Sequence, residues 1–188
     1  MKKIMVMLAA VVMAAGVQAA AWSWSSGGTA AVTPGGTDVL SGANVYLFFG
    51  YASSSAANTA KGELLASLRA GNEISGYSQT AKLGADGTLS ETAFTADATK
   101  NYAFAVILAD DADGNSYMFQ SANKNATGAD VGTAKLEFSI NSTTLKDLST
   151  TGSGAGWYQT AAASVPEPTS GLLMLVGLAG LALRRRRA

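Results

Sequence analysis

Residues 171–183 contain only Gly, Leu, Met, Val and Ala, and Arg184, Arg185, Arg186 and Arg187 follow without a break. Such a run does not suit a soluble surface, because an amphipathic helix needs a polar face and this one has none. As a helix it would be about 20 Å long, short of the roughly 30 Å hydrocarbon core of a bilayer. Snorkelling arginine stems and local bilayer thinning cover part of that mismatch. A short transmembrane helix is therefore expected over 171–183, one that inserts but anchors marginally. Four adjacent arginines place their end on the cytoplasmic side. Just upstream stand Val165, Pro166, Glu167 and Pro168. The two prolines hold that stretch extended, on the opposite side of the membrane, in a form suited to a protease.

The other end agrees with this topology. Lys2 and Lys3 precede an apolar stretch over residues 4–16, and small residues then offer cleavage after Ala19 or after Ala21. Residues 1–21 are expected to be a signal peptide removed by signal peptidase, since the apolar run is too short to span a membrane.

The order of parts at the C-terminus resembles the PEP-CTERM family of sorting signals: Val165, Pro166, Glu167 and Pro168, then a short apolar helix, then Arg184, Arg185, Arg186 and Arg187. The resemblance covers only about residues 165–188. It implies recognition by exosortase, a membrane-embedded processing enzyme, with cleavage near Pro166, Glu167 and Pro168 and loss of the tail. It also implies an exported protein of a Gram-negative bacterium that makes exopolysaccharide, anchored transiently and then placed at the cell surface or in the extracellular matrix.

The exported middle is long enough to bury a core without disulfides, and the chain has no cysteine. The overall net charge of zero conceals a segregation: with Lys2, Lys3, Arg184, Arg185, Arg186, Arg187 and Glu167 set aside, 7 basic and 12 acidic residues remain, a net of −5. That middle lacks the basic footprint that nucleic acid requires.

Two runs, 43–49 and 102–108, are apolar on both alternating faces, as in strands buried between layers. Asp113, Gly114 and Asn115 separate the second run from Tyr117, Met118 and Phe119, which reads as a hairpin. Leu136, Phe138 and Ile140 alternate with polar residues, as in a strand with one wet face. Residues 92–95, 22–24 and 157–158 are weaker strand candidates. One helix is expected from about Thr59 to Ala70, capped by Asn58 or Thr59 and ended by Gly71. The fold class expected is mainly β, an antiparallel β-sandwich with one helical insertion, with an α+β layer as the alternative. Residues 22–148 would form this β-rich domain, 149–164 a flexible spacer, and 165–188 the sorting signal.

No catalytic, cofactor or metal site is expected. The chain has no histidine and no cysteine, which removes the usual triads and most transition-metal sites. Glu63, Glu73, Glu91 and Glu137 offer carboxylates, but no spacing selects a glycosidase-like pair. Asp110, Asp111 and Asp113 before Gly114 invite a calcium reading, yet the EF-hand register fails and a turn explains them. The glycines at 152, 154 and 156 do not complete a nucleotide loop, since Trp157 stands where the last glycine would be. Trp22, Trp24 and Trp157 could make a sugar-stacking platform, with core or membrane-interface roles at least as good a reading of each. The function expected is thus a non-catalytic envelope or matrix protein. Its rivals are a carbohydrate-binding module for exopolysaccharide and a secreted carboxylate-dependent hydrolase.

Overall fold

The computed structural model describes residues 19–97, 101–125 and 134–162. In chain order these form β1 (Ala19–Ser25), β2 (Asn44–Tyr51), α1 (Ser54–Arg69), β3 (Gln79–Lys82), β4 (Thr92–Asp97) and β5 (Tyr102–Asp110). There follow β6 (Ser116–Gln120), β7 (Lys124–Asn125), β8 (Ala134–Glu137), β9 (Leu145–Lys146) and β10 (Gly156–Ala161). The expected signal peptide and the expected transmembrane helix lie outside the described residues, except that β1 already begins at Ala19. Among the described residues, no helix is long and apolar enough to cross a membrane.

The molecule is mainly β, with two sheets and a single helix among the described residues. The larger sheet has the order β3-β2-β5-β6-β10-β9, and β7 continues beside β5 where β6 leaves it. The smaller has the order β4-β1-β8. The two runs that are apolar on both faces become β2 and β5, and they pair antiparallel in the middle of the larger sheet. Their alternation sorts side chains to two sides. Val45, Leu47, Ala105, Ile107, Phe119 and Trp157 pack on Trp22 and Trp24 of β1 and Leu136 of β8. On the opposite face Phe48, Phe104, Val106, Met118 and Tyr158 pack against Ala57, Leu64 and Leu65 of α1. The larger sheet is therefore a middle layer covered on both faces, which is why its central strands read as continuous apolar runs.

One bulge adjusts this sorting. The register between β2 and β5 shifts between Phe49 and Tyr51, and Gly50 takes φ 99° to allow it. Tyr51 is thereby thrown to the helix side, where its ring stacks on Phe104 at 5.5 Å.

Four expectations need correction. The sheets are mixed rather than antiparallel, because β1 pairs parallel with β8 and β9 pairs parallel with β10. The helix starts at Ser54 instead of Thr59, with Ser53 as its N-cap accepting from the Ala56 amide at 3.1 Å. Its first turn holds only Ser and Ala, of which Ala57 alone is buried, so it gives no apolar stripe to read. Its end follows expectation: Gly71 adopts φ 82°, and the amides of Gly71 and Asn72 return to the carbonyls of Leu68 and Ser67. The strand expected through Ile140 stops at Glu137, although Phe138 and Ile140 remain buried. The fourth correction concerns the spacer expected over 149–164. Its centre is β10, paired with β6 on one side and β9 on the other, so the folded body continues to Ala161.

Candidate functional site

The place where the body hands over to the C-terminal segment is built by three elements. β10 inserts between β6 and β9, and its Trp157 and Tyr158 are buried on opposite faces of the sheet. β9 pairs only with Trp157 and Tyr158, so the next carbonyl on β10 needs another donor. Arg69, in the last turn of α1, supplies it: Nε donates to the Gln159 carbonyl at 3.0 Å. The same guanidinium donates through Nη1 to the Thr150 carbonyl at 2.8 Å and through Nη2 to the Asp147 carbonyl at 3.0 Å. Asp147 orders that loop by accepting from the hydroxyls of Ser149 and Thr150 and the Ser149 amide. These bonds, the Ser149 hydroxyl first, hold its carboxyl below the usual range. On the other side of β10, the Thr160 hydroxyl donates to the Ser116 carbonyl at 3.0 Å. β10 ends at Ala161, so three residues separate it from Val165. Val165, Pro166, Glu167, Pro168, Arg184, Arg185, Arg186 and Arg187 all lie outside the described residues.

Ala161 pairs with Ser116, and Ser116 pairs with Asp110 across the β5–β6 hairpin. The hairpin tip therefore stands at the end of the sheet from which the chain leaves. Asp111 is the hub of the turn. Its Oδ1 accepts the amides of Asp113 and Asn115 at 3.0 and 2.8 Å, and its Oδ2 accepts from the Asn115 side chain at 2.9 Å. The Asn115 side-chain bond is the chief cause that lowers its carboxyl pKa. Among the described residues, no group of three or more His, Cys, Asp and Glu is placed to hold a metal ion.

Trp22, Trp24 and Trp157 are 6%, 0% and 0% exposed, so the sugar-stacking platform considered for them is corrected. Trp24 donates from Nε1 to Gln79 Oε1 at 2.9 Å, and Trp157 packs on Phe119 at 5.4 Å. Glu63, Glu73, Glu91 and Glu137 are all exposed, and Glu91 is paired with Lys135 at 2.8 Å.

Lys61 is the residue that the sequence reading missed. It is fully buried beneath α1, with Nζ donating to the Ser121 carbonyl at 2.6 Å and lying 5.2 Å from the Phe104 ring centre. Burial pushes its pKa down from 10.5 to about 8. The signal was its spacing: Ala57, Lys61, Leu64, Leu65 and Leu68 share one helical face, so a lysine stands inside the apolar stripe. Beside it, an open groove of about 440 Å³ runs between α1 and residues 151–153, with Glu63 its one charged lining residue.

The described residues thus define a mainly β, two-sheet body whose last strand is clamped into the larger sheet and runs directly into a C-terminal signal. That signal is a PEP-CTERM protein-sorting motif, which residues 164–187 match. No curated protein and no solved structure matches the chain.

Proposed function

We propose that this is an exported envelope or extracellular-matrix protein, non-catalytic, sorted and processed by exosortase through its C-terminal signal. The observation that carries the reading is the sorting-motif match at 164–187, which begins within three residues of the end of β10. The apolar run over 171–183 and the four arginines supply the membrane stop. Signal peptidase acts at the other end. Cleavage after Ala19 is the position we assign, because it removes only the Ala19–Asp97 rung between β1 and β4, whereas cleavage after Ala21 would also remove those of Ala20 and Ala21.

The test is an intact mass of the protein recovered from envelope and from medium. The mature form should begin at Ala20 and end before Gly171. Recovery of the full 188-residue chain as the stable cellular form would overturn the reading. Replacing Arg184, Arg185, Arg186 and Arg187 together with serine should weaken retention and processing, whereas replacing Lys135 and Lys146 should not.

A further inference from the structure

We propose that β1 is an exchangeable strand: the slot it fills between β4 and β8 is also an interaction surface for β1 of a second copy of this chain. This stands apart from the sorting reading above and adds to it a way for copies to join.

Three observations carry it. The first is position. β1 is the first described strand, yet it lies in the middle of its sheet, and within that sheet β4 and β8 pair with β1 alone. Six register pairs join it to β4 and four join it to β8. Lifting β1 out leaves two unpaired edges with a strand-wide slot between them. The second is fit. Trp22 packs on Phe49 and Phe94 at 5.1 and 6.4 Å, and Trp24 packs on Phe138 at 6.5 Å and donates to Gln79. A slot with these walls suits one sequence, and every copy carries that sequence. A second chain's β1 makes the same pairs and the same contacts.

The third is the hinge. Gly27 and Gly28 turn the chain after β1 with φ 57° and 78°, left-handed values that glycine adopts without strain. The Ser26 carbonyl closes this turn by accepting the Thr29 amide at 3.0 Å and the Thr29 hydroxyl at 2.7 Å. On the strand side of the hinge, the Ser26 amide donates to the Leu89 carbonyl, and its hydroxyl accepts from the Leu89 amide. Those two bonds travel with β1 and form again on the neighbour. Opening the turn therefore loses the two Thr29 bonds and restores the rest between copies. The closed chain is favoured when dilute, and exchange rises as copies crowd.

The chain has no cysteine, and Ser23 and Ala93 are register partners, so the two positions report the pairing directly. Full-length Ser23→Cys and Ala93→Cys are unfolded together in urea, refolded together in detergent at rising concentration, and treated with a short bis-maleimide. The Ser23→Cys/Ala93→Cys double variant, diluted, measures the closed pair. A 23–93 cross-link between chains should appear and grow with concentration. Gly28→Val should raise it by roughly tenfold, because a β-branched residue is strained at that φ only in the closed turn. Nothing lies within 4 Å of the added Cβ, so the effect is one of backbone conformation. Gly28→Asn, which tolerates the left-handed region, should raise it far less. An inter-chain product absent at every concentration, or unchanged by Gly28→Val, overturns the exchange. So does equal cross-linking of Ser23→Cys to Asp113→Cys, on the β5–β6 turn, since that would report collision and not pairing.

Discussion

The ammonium of Lys61 lies 2.6 Å from the Ser121 carbonyl, and among the described residues no carboxylate is within ion-pair distance of it. A cation buried this way disfavours the folded state whenever it carries its proton. Its folded pKa is about 8 against 10.5 in the open chain, so between those values the unfolded chain binds more protons. Stability must therefore rise with pH above 8. The gain should reach roughly 2 kcal/mol by pH 10. Above pH 10 it should fall again, because burial raises Tyr51 and Tyr158 and the unfolded chain loses those protons first. Urea denaturation of wild type and Lys61→Met across pH 7 to 11 checks this. In Lys61→Met the rise should vanish and the fall above pH 10 should remain.

Arg69→Ala should cost about 2–3 kcal/mol, since three carbonyls lose a charged donor together. Arg69→Lys should recover less than half, because one ammonium cannot reach Gln159, Thr150 and Asp147 in the same geometry. Hydrogen exchange should accelerate first at Gln159 to Ala161, ahead of β5. Uniform acceleration over the larger sheet would mean that Arg69 supports the whole body and not its exit strand.

All three tryptophans are buried, so their emission should be blue-shifted and nearly insensitive to iodide. Adding a soluble bacterial polysaccharide should leave the spectrum unchanged. Iodide quenching comparable to that of free tryptophan would contradict the burial described for Trp22, Trp24 and Trp157.

Gly152→Ala should destabilise the body by about 1–3 kcal/mol, as overpacking does. The added methyl would stand 2.7 Å from the Tyr158 ring, whose hydroxyl is fixed by the Gly154 carbonyl at 3.0 Å. Gly154→Ala, where the nearest contact is that hydroxyl at 3.5 Å, should cost distinctly less. Thermal melts of the two variants side by side read the difference.

What was legible in the sequence was what local pattern alone decides. Ala43 to Phe49 and Tyr102 to Leu108 announced strands buried on both faces, and Gly71 announced the end of α1. The sorting motif was legible because it is a linear signal, read in order without a fold. What was not legible depended on distant partners. Trp157 and Tyr158 gave only a two-residue strand candidate inside an expected spacer, and pairing with Phe119 and Met118 is what extends them into β10. The parallel contact of Trp24 with Leu136 joins segments over a hundred residues apart and leaves no local trace. Lys61 was readable in principle from its helical spacing, but its lack of a carboxylate partner was not.

The position of β10 also sets a clock. The sheet cannot gain its strand between β6 and β9 until Ala161 has been made, and Gly171, where the apolar run begins, lies only ten residues further on. At about 5–20 residues per second, translation reaches that run within roughly 0.5–2 s. Completion of the sheet and arrival of the apolar tail are thus nearly simultaneous events in the life of each chain. Until then the nascent polypeptide lacks the strand that joins β6 to β9, and its larger sheet closes only as the apolar run is being made.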